Sequence, residues 1–154
     1  MAQLDDIREG LAANLYALKT AGTVGHVSAY MQENPQTPSV HVVGVAAFDY
    51  GLGFGDGAGD EWTVLIEALL GKTTDIGSQK KLNDLLATSG ATSLKVAVEA
   101  DRQLTSRLSD DGKVTEDQAA ACSHLLVSRY QGQSPVVIGG AQLLAATWAV
   151  RVIA

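Results

Sequence analysis

The stretch Trp62-Thr63-Val64-Leu65-Ile66-Glu67-Ala68-Leu69-Leu70 decides the fold of this chain. Read with the two-residue period of a β-strand, it puts Trp62, Val64, Ile66, Ala68 and Leu70 on one face. Thr63, Leu65, Glu67 and Leu69 fall on the other. The first face is wholly apolar and belongs against a core. The second carries two leucines, more apolar surface than a solvated face needs. The residues that follow, Gly71-Lys72-Thr73, look like the end of a phosphate-binding loop. That motif needs a glycine where this sequence has Ile66, inside the strand, so no loop is available to wrap a phosphate.

Towards the C-terminus, Leu143–Ile153 repeats the pattern. Leu144, Ala146, Trp148, Val150 and Val152 form one face, and Leu143, Ala145, Thr147, Ala149, Arg151 and Ile153 the other. A strand over Ser123–Tyr130 precedes it, joined by a loop over Gln131–Ala141 that holds Gly132, Pro135, Gly139 and Gly140. Towards the N-terminus, Val24–Met31 and Val40–Phe48 read as two more strands. The polar, proline-bearing run Gln32–Ser39 separates them.

Helices fill the remainder. Leu4, Ile7, Leu11, Leu15 and Leu18 lie on one stripe of an N-terminal helix. Asp5, Asp6 and Glu9 sit near its positive end, Lys19 near its negative end, and Gly22 supplies a left-handed C-terminal residue. Gly10 inside this helix is a mild cost. Asp75 caps a helix over Ile76–Ala87 that turns Leu82, Leu85 and Leu86 inward and ends at Gly90. Thr92 or Ser93 caps another, carrying Leu94, Ala97, Val98, Leu104 and Leu108 on one stripe and ending in the turn Ser109–Lys113. The 154 residues therefore read as a single α+β domain. Its sheet is mostly antiparallel, with the N-terminal helix and a central helical block packed on one face. The half-apolar second face calls for more covering structure or for another subunit, and another subunit is the expectation.

Residues 48–62 contain the run Gly51-Leu52-Gly53-Phe54-Gly55-Asp56-Gly57-Ala58-Gly59-Asp60. A dinucleotide fingerprint needs a helix after its glycines, whereas a strand follows here. A calcium-binding repeat needs several copies, and there is one, with Asp49, Asp56 and Asp60 as its oxygen donors. The run reads as a long, pliable hairpin tip. Leu52 and Phe54 on such a tip need a partner surface. With Phe48, Tyr50, Leu65, Leu69 and Arg151 they make up the candidate subunit interface.

Nothing assembles into a catalytic or metal centre. His26, His41 and His124 fall on three different strands. Ser123 and His124 are adjacent strand residues and point to opposite faces, so they cannot pair. Cys122 reads as a small buried apolar residue, and Trp62 and Trp148 as core filling. No catalytic residue, cofactor or metal is assigned, and a non-enzyme is expected.

Composition narrows the class further. The chain is 46% hydrophobic with one cysteine, which excludes an intramolecular disulfide framework. Its net charge of -6 argues against a sequence-independent grip on phosphate backbones. The charge is uneven: residues 1–77 hold 3 Lys/Arg against 10 Asp/Glu, and residues 78–154 hold 8 against 7. Unlike surfaces of this kind favour contacts between copies. The acidic start Met1–Asp6 lacks the order of a signal peptide, and no run approaches the about 20 apolar residues of a membrane span. A protein made in a cytoplasm, without membrane contact, is expected.

The order of these pieces resembles a known family. Its carriers are Leu4-Asp5-Asp6-Ile7-Arg8-Glu9-Gly10-Leu11, Trp62-Thr63-Val64, Thr74-Asp75-Ile76-Gly77-Ser78-Gln79-Lys80-Lys81-Leu82 through Leu86-Ala87-Thr88-Ser89-Gly90, and Ala146-Thr147-Trp148-Ala149-Val150-Arg151-Val152. Together, over nearly the full chain, they look like the tail terminator (tail completion) proteins of long-tailed phages, particularly those of actinobacterial hosts. The residues from Gly112 to Ala121 are longer than the family's connection. The resemblance implies a structural virion protein, assembled in the host cytoplasm and placed at the head-proximal end of the tail. It implies a hexameric ring that stops addition of the major tail protein and docks a head-completion protein. DNA passes through the lumen without specific binding. Another head–tail connector (a head-closure or tube protein) and a small ligand-binding module using the glycine-rich loop are the alternatives.

Overall fold

The computed structural model describes residues 3–32, 35–49, 60–109, 111–116 and 118–153. The first element is the helix α1, Gln3–Thr20. Ile7, Leu11, Leu15 and Leu18 of its apolar stripe are fully buried. It ends as the sequence predicts: Gly22 has φ +80°, Gly22 N–H donates to Lys19 O at 3.0 Å and Thr23 N–H to Leu18 O at 3.0 Å. These two bonds satisfy carbonyls that a helix end leaves open.

Strands β1 (His26–Ser28), β2 (Ser39–Asp49), β3 (Glu61–Lys72), β6 (His124–Ile138) and β7 (Ala141–Ile153) form one sheet in the order β1-β2-β3-β7-β6. All neighbours are antiparallel except β1 and β2, so the sheet is mixed. Between β3 and β6 lie α2 (Ile76–Leu85), α3 (Leu94–Val98) and the two-residue strands β4 (Arg107–Leu108) and β5 (Val114–Thr115). The fold is α+β, as the strand and helix patterns predict.

Register puts the deciding stretch at the centre. Trp62, Val64, Ile66 and Ala68 of β3 stand opposite Val152, Val150, Trp148 and Ala146 of β7. All eight are buried in one cluster with Leu11 and Leu15 of α1, Leu82 and Leu85 of α2, and Leu94 and Val98 of α3. The helices therefore share one face of the sheet. Both tryptophans fill this core. Trp62 meets Phe48 at 5.0 Å between ring centroids, and Trp148 meets Tyr130 at 5.2 Å.

Three expectations are corrected. The strand over Val24–Met31 shrinks to His26–Ser28 and pairs in parallel with β2. Ser28 Oγ ends it, donating to Tyr30 O at 2.7 Å and accepting from Tyr30 N–H at 3.2 Å, which turns the chain. The loop over Gln131–Ala141 is instead the outer half of a long hairpin. Strand β6 runs on to Ile138, and Gly139 and Gly140, with φ +59° and +81°, make the turn. The helix capped at Ser93 stops at Val98. Asp101 accepts from Thr105 N–H at 2.8 Å and Gln103 N–H at 3.3 Å, an alternative to helical bonding, and Leu104 sits at φ +56°. Leu104 and Leu108 are still buried, but not along a helical stripe.

The stretch from Gly112 to Ala121, left open by the sequence, packs on α1. Its β5 pairs with β4, and Gln118 Nε2 donates to Leu104 O at 2.8 Å and Asp6 O at 3.2 Å. Gly10 belongs to the same contact. A Cβ there would lie 2.7 Å from Leu104 Cβ, so α1 carries glycine because the backbone approach requires it.

Candidate subunit interface

The outer face of the sheet, away from the helices, carries the second set of residues of the deciding stretch. Across β2, β3 and β7 its rows are Ser39–Leu69–Ala145, His41–Glu67–Thr147, Gly44–Leu65–Ala149 and Ala47–Thr63–Arg151. Strand β6 adds Leu126 opposite Arg151 and Ser134 opposite Ala145. None of the hydrophobic residues on this face belongs to the helix-covered core cluster.

The face has two unlike ends. At the Leu69 end the chain covers itself. Loop residues Gln32, Pro35 and Gln36 line a cavity of about 110 Å³ with His26, Ser28, Ser39 and His41 at the β1 edge of the sheet. Leu69 is 1% exposed. His41 and Glu67 form a cross-strand pair, with Nε2 3.2 Å from Oε1 but outside hydrogen-bond alignment. Ser39 Oγ is buried without a protein partner.

At the other end no described element lies over the face. Leu65 and Leu126 are half-buried, and Ala47 and Arg151 are exposed. Arg151 Nε donates to Glu61 Oε1 along the same face. That hydrogen bond holds the Glu61 carboxyl below its ordinary range, and the same contact raises the Arg151 guanidinium. Arg151 is thus already paired within its own chain.

The candidate interface residues are therefore distributed as follows. Leu65 and Arg151 lie on the open end of the outer face. Leu69 lies on the same face but is enclosed. Phe48 stacks on Trp62 at the helix-covered face. Tyr50, Leu52 and Phe54, with the rest of the hairpin tip, lie outside the described residues. Sequence reasoning missed Leu126, because its same-face neighbours at two-residue spacing, His124 and Ser128, are polar. It also missed a second apolar surface, a groove of about 560 Å³ beside the N-terminal turns of α1, lined by Leu4, Tyr30, Met31 and Val45 among others. Tyr30 and Met31 were expected inside a strand, where they would not have shared a surface with α1.

Among the described residues there is no group of three or more His, Cys, Asp or Glu side chains placed to hold a metal ion. His26 and His41 share the outer face, two positions apart, but His124 lies at the opposite edge beside Arg102, 3.3 Å from its Nη1. Cys122 is buried, its thiol is pushed up to about 11 by desolvation, and Sγ donates to Arg102 O at 3.3 Å. Such a thiol is a poor nucleophile at neutral pH. No described helix is long and apolar enough to cross a membrane. In comparison with known proteins, no protein-family model matches the chain and no curated protein is significantly similar to it.

Proposed function

We propose that this chain is a structural subunit that works only in an assembly, a tail-terminator-like protein of a long-tailed phage. Copies close into a ring, expected to be hexameric, at the head-proximal end of the tail tube. The ring stops further addition of the major tail protein and presents the surface on which a head-completion protein docks. It forms in the host cytoplasm and stays in the virion. DNA crosses its lumen without being held, so the lumen carries no surplus of Lys or Arg; a ring lined mainly by those residues would contradict this.

One observation carries the assembly part of this reading. The sheet has a core on one face and, on the other, an end where Leu65 and Leu126 are half-buried with no described element above them. Apolar side chains in that position are what a second subunit covers. The order of motifs along the chain supports the terminator part.

The test separates a terminator from a tube protein. Antibody raised against the chain is applied to intact phage tails under the electron microscope. Label at the head-proximal end alone, in a single ring, is expected. Label along the whole tube, or none on tails, would overturn the assignment.

A further inference from the structure

At the Leu69 end of the outer face, polar side chains stand together on three neighbouring strands. Ser39 and His41 follow each other at two-residue spacing on β2, and both are buried. Glu67 of β3 stands opposite His41, and His26 of β1 stands opposite Ser39. His26 and His41 are therefore diagonal neighbours on one face. Such neighbours lie about 7–8 Å apart, within reach of each other's long side chains. Both imidazoles line the cavity of about 110 Å³ at this edge, with Ser39 between them in the register.

The hydrogen bonding of this cluster is incomplete. His41 Nε2 is buried and makes no hydrogen bond, although Glu67 Oε1 lies 3.2 Å away. Ser39 Oγ is also buried and unpartnered. A buried polar atom left unpaired is costly, and it points to a group that would satisfy it. The distance between the two side chains names a class of group. Two ligands of one tetrahedral zinc ion, each about 2.0–2.1 Å from the metal, lie about 3.3 Å apart. The imidazole nitrogen and the carboxylate oxygen already stand at nearly that separation. His26 is exposed and makes no hydrogen bond or ion pair among the described residues, so its side chain is free to turn.

We propose that His41, Glu67 and His26 bind a divalent transition-metal ion, zinc by the chemistry of the ligands. Two imidazoles and one carboxylate suit zinc and leave a fourth position for a water, which Ser39 Oγ can hydrogen-bond. Only His41 and Glu67 are in place as the chain stands, so the set of three is complete once His26 turns inward. Lys19 is the charge that opposes a cation here. It is exposed on the cavity wall, and its Nζ lies over the Tyr16 ring at 5.3 Å. The role of the ion is structural. Strand β1 holds to the sheet through three residue pairs with β2, and an ion shared by His26, His41 and Glu67 clips β1, β2 and β3 together. The site does not depend on the ring and holds for a single subunit.

The experiment follows thermal unfolding of the full-length, untagged protein, stripped with a chelator and then given zinc near neutral pH. Zinc in about tenfold excess is expected to raise the melting temperature by several degrees. Magnesium, which prefers oxygen ligands, is expected to leave it unchanged. The rise should vanish in His26→Ala, whose side chain is exposed, and in Glu67→Gln, which keeps the shape of the carboxylate. It should persist in His124→Ala, at the opposite edge of the sheet, and grow in Lys19→Gln. Calorimetric titration of the same proteins should show at least a tenfold loss of zinc affinity in the first two variants. No rise in the unsubstituted chain would overturn the proposal, as would a rise that survives either His26→Ala or Glu67→Gln. Stabilisation by inorganic phosphate instead of zinc, weakened in Lys19→Gln, would overturn it in favour of an anion site.

Discussion

At the scale of the residue, Gly10 shows how tertiary contact overrides propensity. By helix propensity alone, Gly10→Ala would stabilise the chain by up to about 1 kcal/mol. Because Leu104 Cβ lies 2.7 Å from where the new methyl would sit, the substitution is expected instead to destabilise it by about 1–3 kcal/mol, read by urea denaturation. The sequence marks Gly10 as a defect in a helix. Only the position of Leu104, fixed by its φ of +56°, gives the reason. Glu99 is a second case. Burial raises its carboxyl, but hydrogen bonds from Lys95 and from Val127 N–H, with the charges of Lys95 and Arg102, outweigh burial and hold it below its ordinary value. A depressed carboxylate contributes stability that is present above its unfolded pKa and is lost as pH falls through the folded one. Glu99→Gln is therefore expected to destabilise the protein at neutral pH. Its gap to the unsubstituted chain should close as the pH drops below the ordinary glutamate range. A gap unchanged down to strong acid would contradict this.

At the scale of the element, the apolar alternation of Trp62–Leu70 and Leu143–Ile153 placed the two central strands correctly because both faces of each follow a strict period of two. The caps at Asp75 and Ser93 were legible for a similarly local reason. Asp75 Oδ1 accepts from Gly77 N–H at 3.0 Å and Ser93 Oγ from Val96 N–H at 3.3 Å. The outer half of β6 was not legible. Gly132 and Pro135 punctuate it like a loop, yet β6 is an edge strand. Its free side tolerates a proline, and Gly132, at φ +111°, sits at a register irregularity. The true turn is Gly139-Gly140, where both residues are left-handed. Gly139→Ala and Gly140→Ala are each expected to cost about 1–2 kcal/mol, and Gly139→Asn much less, since asparagine tolerates that conformation. Thermal unfolding of the three variants checks the order.

At the scale of the whole molecule, the architecture divides its apolar surface unequally. Three helices cover one face of a five-stranded sheet; on the other, Leu69 is enclosed, and Leu65 and Leu126 remain half-buried at the far end. The sequence exposed this imbalance through Leu65 and Leu69. It did not reveal that Leu69 is enclosed within its own chain while Leu65 is not. Leu65→Glu is consequently expected to abolish self-association while changing the melting temperature by only a few degrees. The central claim is that the chain is one part of a closed ring. Electron microscopy of the purified full-length protein tests it most directly. Six-fold rings with a central hole are the predicted result; a homogeneous population of single subunits at high protein concentration would contradict it.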